Sequence, residues 1–148
     1  MRVRCVRVFL AALLVEGLYV VPAGAGSKNF VALLNGGQET PANNSGAFGV
    51  AFLTLSGNSL CYSISFTRLD GGAETNAHVH GPAAPGTPSS SVVALTPIPG
   101  NPKNGCITLA TAPAHPNKKD LKQGMTYVNI HSHDFPGGEI RGQVIPVK

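Results

Sequence analysis

Two adjoining stretches, "AFGVAFLTLSGN" (47–58) and "SLCYSISFTRL" (59–69), alternate apolar and polar residues with little interruption. Successive side chains of a strand point to opposite faces, so a period of two marks a half-buried strand. In the second stretch Leu60, Tyr62, Ile64 and Phe66 share one face, and Cys61, Ser63, Ser65 and Thr67 share the other. Ser56-Gly57-Asn58 between them is a turn signal and predicts a hairpin. Six further segments read as strands between Gly/Pro/Asn/Ser clusters: 29–36, 74–81, 91–98, 105–111, 125–133 and 137–147. Only "APAHPNKKDLKQG" (112–124) looks helical, and it is a short turn. The predicted fold is therefore all-β: an antiparallel Ig-like or Greek-key sandwich, or a barrel, of about eight strands.

The start of the chain reads differently. Arg2, Arg4 and Arg7 precede the apolar run "VFLAALLV", and Ala23-Gly24-Ala25 is a small-x-small cleavage pattern. That order marks residues 1–25 as a secretory signal peptide and 26–148 as one mature domain. Glu16 interrupts the apolar run well short of the ~20 residues a spanning helix needs, so no membrane span is expected. Removing Arg2, Arg4, Arg7 and Glu16 lowers the net charge from +4 to +2. With no basic cluster beyond Lys118-Lys119, nothing points to a nucleic-acid partner. Export, to the periplasm or the outside, also fits the cysteines: Cys5 leaves with the leader, and Cys61 and Cys106 remain as a candidate disulfide. Two separate thiols, or soft metal ligands, are the alternative.

Four of the five histidines stand in two pairs, His78-x-His80 in "TNAHVHGPAAPG" and His131-x-His133 in "YVNIHSHDFPGGEIRGQV". On strands, each pair shares a face and lies roughly 6–7 Å apart along the strand. Ala77 and Val79, and Val128 and Ile130, then supply an apolar back; Tyr127 and Asn129 lie on the histidine side. Two such pairs on neighbouring strands would offer up to four imidazoles, a set suited to zinc or copper(II), with copper favoured by a near-planar arrangement. Asp134 and Glu139 are candidates to orient the rings from behind. Arg141, two residues from Glu139, is either half of a structural ion pair or a group that attracts an anion beside the histidines. The plain alternative is that the histidines are surface polar residues bonded to backbone. His115, between prolines, reads as exposed. Nucleophilic catalysis has little support: there is no Gly-x-Ser-x-Gly elbow, no phosphate-binding Gly loop and no evident carboxylate pair.

Three stretches in order, "ALLNGGQETPANNSGAFG", "LCYSISFTRLDGGAETNAHVHGPA" and "YVNIHSHDFPGGEIRGQV", resemble the CHRD domain, which occurs in chordin and in many exported bacterial proteins. The likeness covers about residues 29–147 and implies a β-rich extracytoplasmic domain. Chordin binds growth factors, so the resemblance also implies an extracellular protein partner. The family pattern maps onto His78, His80, His131, Glu139 and Arg141, whereas His133 departs from it. The "HVH" strand is also similar to the copper-binding strand of copper–zinc superoxide dismutases, whose zinc-loop ligands have no counterpart here.

The first functional expectation is a transition-metal binding module using His78, His80, His131 and His133. The second is an interaction or adhesion module with structural histidines and an apolar patch or open sheet edge elsewhere. The third is a dismutase-like redox enzyme with Arg141 beside the metal. The balance leans away from an enzyme.

Overall fold

The computed structural model describes residues 26–148; the leader assigned to 1–25, with Cys5, lies outside them. The strands are β1 (Lys28–Asn35), β2 (Phe48–Ser56), β3 (Ser59–Phe66), β4 (Glu74–His80), β5 (Val92–Ala94), β6 (Lys103–Thr108), β7 (Tyr127–Ser132), β8 (Ile140–Gln143) and β9 (Ile145–Pro146). Among the described residues there is a 3-10 turn at Gly36–Gln38 and one α-helix, α1 (Lys118–Lys122), which is capped by Asn117 and Asp120, each side chain bonding the other's backbone N–H. The expected short turn in 112–124 is therefore present.

The strands form one antiparallel sheet in the order β5-β4-β7-β8-β1-β2-β3-β6, with β9 against β1. Of the two architectures expected, the chain takes the barrel-like one: a single twisted sheet curls until its end strands approach. The predicted hairpin is β2–β3, in register from Gly49↔Phe66 to Ser56↔Ser59. Leu60, Tyr62 and Ile64 point inward, joined in the core by Phe30, Leu34, Leu53, Val79, Val128, Ile130 and Ile140. Side chains complete the seam between the end strands. Tyr62 Oη donates to the Thr96 carbonyl (2.7 Å) and accepts from its N–H (3.0 Å). Lys103 of β6, fully buried, pairs with Glu74 of β4 at 2.7 Å and also donates to the Pro97 carbonyl.

The last predicted strand is split into β8, which pairs with β7, and β9, which pairs with β1. Val144 at the break turns its side chain into the core and its N–H to Thr126 O (2.9 Å). Gly142 lets β8 lie against β1, since a β-carbon there would come within 2.6 Å of the Leu33 carbonyl oxygen. Cys61 and Cys106 stand directly opposite on β3 and β6 and form the expected disulfide.

Candidate metal centre

The histidines are placed by the pairing of β4 with β7. Ala77↔Ile130 and Val79↔Val128 face the core, so His78↔Asn129 and His80↔Tyr127 face away from it, with His131 beside Asn76. The pairing is regular from Asn76 to His80, with a register shift between Glu74 and Asn76. The extra residue, Thr75, puts Glu74 on the core side to meet Lys103 while Asn76 and both histidines stay on the other. On the outer side of β7 and β8, Asn129 opposes Arg141 and Tyr127 opposes Gln143.

This outer face is covered as well. Arg141 Nη1 donates to Thr40 Oγ1 (3.0 Å) and Nη2 to the Thr87 carbonyl (2.9 Å). Gln143 Nε2 donates to the Ala83 and Gly124 carbonyls at 2.9 and 2.7 Å. The segments around 38–40 and 83–89 thus lie over the sheet and bury Tyr127, Asn129 and Arg141. A stack runs through this layer: the His80 and Tyr127 rings are parallel at 4.7 Å, and the Arg141 guanidinium lies 3.5 Å from the Tyr127 centroid.

Three imidazoles converge here. Ligating nitrogens of His78, His80 and His131 all lie within 4.8 Å of one another. His80 Nδ1 meets the Ser89 carbonyl at 2.9 Å, and His131 Nδ1 meets the Pro136 carbonyl at 2.9 Å. A carbonyl only accepts, so both Nδ1 atoms carry the hydrogen and both Nε2 atoms present lone pairs. Backbone carbonyls behind the rings fix their tautomer, as in protein metal sites generally. His80 Nε2 is buried and has no hydrogen-bond partner. His131 Nε2 lies 3.0 Å from His78 Nδ1. His131 Nε2 accepts there and His78 Nδ1 donates; the separation is close to the about 3.3 Å between two ligands of a tetrahedral ion, and coordination through both atoms would move the His78 hydrogen to its Nε2.

The electrostatics keep the site ready for a cation. Burial, then the neighbouring His131 and His80 rings, pull the His78 pKa down to about 4. Burial likewise lowers that of His80. Both rings are therefore neutral, with lone pairs available, at neutral pH.

The other expected residues lie elsewhere. His133 follows the end of β7, its side chain is 83% exposed, and Nδ1 bonds Asp134 Oδ1 at 2.7 Å; neither residue is part of the three-histidine group. Glu139 is buried, but its carboxylate accepts from Ser45 Oγ (2.7 Å), Asp70 N (2.6 Å) and Gly71 N (3.2 Å), tying loops together rather than orienting an imidazole. Arg141 stacks on the Tyr127 ring, which in turn stacks on His80, and its charge adds to the lowering of the His80 pKa. His115 bonds Asp120 Oδ2 at 2.7 Å beside α1 and is half-exposed. The sequence reading passed over Ser89 and Pro136, because a carbonyl that fixes a tautomer leaves no trace in residue type. It also passed over Glu39, whose buried carboxyl stands near Arg141 and Asn129.

The family model of the CHRD domain matches residues 30–144. The chain belongs to the CHRD domain family. The match takes in all three clustered histidines together with Glu139 and Arg141, and runs from β1 through β8 of the sheet. Neither a curated protein nor a solved structure matches the chain. This CHRD domain is thus an all-β barrel-like sheet with three histidines that could hold a metal ion, and none of its described helices is long and apolar enough to cross a membrane.

Proposed function

We propose that this CHRD domain is an exported module that binds one transition-metal ion, copper or zinc, through His78, His80 and His131. The convergence of three ligating nitrogens within 4.8 Å carries the reading. Two carbonyl-fixed Nε2 lone pairs support it, and one of them, on His80, is buried and unpartnered. Three imidazoles leave at least one coordination position for water or an outside ligand. His133 and Asp134 lie at the surface beside the site and are not needed as ligands. The disulfide supports an oxidising compartment, periplasmic or extracellular.

Calorimetric titration with copper(II) and with zinc tests the proposal. One ion per chain is expected, with Kd below about 10⁻⁵ M. The His78→Ala/His131→Ala double variant is expected to lose at least a hundredfold in affinity, and His133→Ala to stay near wild type. Equal binding by the double variant would overturn the assignment.

A second reading, a module that docks on an extracellular protein, has its own observation. Leu33, Phe48, Phe52, Ile145 and Val147 are exposed on β1, β2 and around β9, not on β4 and β7, which carry the histidines. Changing Phe52 to Glu would abolish such docking and leave metal binding intact. The dismutase-like reading draws less support, since both guanidinium hydrogen bonds of Arg141 go to Thr40 and Thr87.

A further inference from the structure

A cavity of about 250 Å³ opens between the segment 39–43 and the turn 134–138. Pro41, Ala42, Phe135 and Pro136 give it apolar walls, and its charged residues are Glu39 and Asp134. No basic side chain lines it. Asp134 is exposed at the rim, paired with His133. Glu39 is only 7% exposed, and its Oε1 is buried with no hydrogen-bond partner. A buried carboxylate normally finds an opposite charge or a full set of donors. The Thr40 N–H, the Asn129 side chain and the charge of Arg141 favour the carboxylate only in part, since the Arg141 hydrogen bonds go to Thr40 and Thr87 and its face to Tyr127.

Asn129 and Arg141 approach the carboxyl from the sheet, and the backbone of Gly138 lies against it on the side of the turn. Gly138, also in the lining, has φ +126°, and a β-carbon there would collide with the Glu39 carboxyl. Only glycine fits that conformation and that approach. At Gly137 a β-carbon would meet nothing within 4 Å, so that side of the turn opens freely. Burial raises the Glu39 pKa to about 7 despite Arg141, so the group gains most from a cation brought to it.

We propose that this cavity binds a primary ammonium group on a short apolar stem, with Glu39 as its counter-ion and Asp134 at the rim. The volume is below that of drug-sized sites (roughly 300–1,000 Å³) and suits an alkylammonium chain lying against Pro41 and Phe135. The same chemistry is offered by a free alkylamine and by a lysine side chain on a partner polypeptide. The site does not depend on the metal reading, since none of the three clustered histidines lines it.

The test is an amide-resolved NMR titration of the protein in EDTA, which keeps metal out of the comparison. Three probes are used: n-butylamine, a capped Gly-Lys-Gly tripeptide and n-butanol as the neutral control. Saturable shifts confined to 39–43 and 134–138 are expected with an ammonium probe and not with butanol. Response to butylamine alone assigns a free amine, and response to the tripeptide, alone or more tightly, assigns a protein-borne lysine. Glu39→Gln is expected to weaken binding at least tenfold. Asp134→Lys, at an exposed site that leaves the fold alone, is expected to weaken it severalfold and supplies the readout if Glu39→Gln does not fold. No response to either ammonium probe, equal response to butanol, or unchanged affinity in the variant that folds would overturn the proposal.

Discussion

At the scale of single residues, His78 and Glu39 are tuned in opposite directions by the same cause. Burial keeps His78 neutral down to about pH 4, whereas in the unfolded chain it takes up a proton near 6.5. The unfolded state therefore binds more protons in that window, and the His78 contribution is lost as pH falls through it. Glu39 keeps its proton in the folded state up to about pH 7 but releases it near 4.5 when unfolded, so its contribution is lost as pH rises through that range. Where the windows overlap the two slopes oppose each other. Urea denaturation at a series of pH values is expected to show this. Glu39→Gln should lose stability more steeply than wild type on acidification from 6.5 to 4.5, and His78→Gln should lose less, or gain. A Glu39→Gln slope matching wild type would count against a buried, protonated Glu39. Neither shift was legible in the sequence, because each follows from loops that cover the outer face of β4, β7 and β8. What the sequence did carry was the pattern: "HVH" and "YVNIH" each put imidazoles opposite an apolar back.

Among the elements, β4 shows where such reading stops. Strict alternation carries His78 and His80 to one face, and the structure agrees. The same alternation would carry Glu74 to that face too, and the irregularity at Thr75 reverses it. Nothing in "GGAETNAHVH" marks a bulge; the pull comes from Lys103, which is buried on β6 and needs a partner. Likewise β7 ends at Ser132, so His133 leaves the face that its i+2 spacing implied. The seam gives a prediction at this scale. Glu74→Ala strands a buried ammonium and is expected to cost about 3–5 kcal/mol, whereas Glu74→Leu/Lys103→Met is expected to recover most of it. Chemical denaturation of the three proteins checks this; a Glu74→Ala cost below about 1 kcal/mol would mean that water or the Pro97 carbonyl satisfies Lys103.

For the whole molecule, the disulfide bridges neighbouring strands β3 and β6, 45 residues apart in the chain. In the chain-entropy view that bridge restrains the unfolded state, and Cys61→Ala/Cys106→Ala is expected to lower stability by about 3–4 kcal/mol with the fold unchanged. Thermal unfolding with and without reductant measures it, and identical midpoints would show the bridge to be stabilising nothing. The sheet class and most strand positions could be read from alternation and turn residues. The choice of one curled sheet over two stacked ones could not, since it depends on which strands meet last: Tyr62 on Thr96 and Lys103 on Glu74 are encounters between distant segments.

The clustered histidines inherit that remoteness. His78 and His131 are 53 residues apart, and only the β4–β7 pairing brings their rings together. An unfolded or half-built chain offers only isolated imidazoles or one local pair at a time, His78-x-His80 or His131-x-His133. An ion bound tightly by all three would arrive after β4 and β7 have paired and would act as a receipt for that step, holding the pairing shut rather than seeding it.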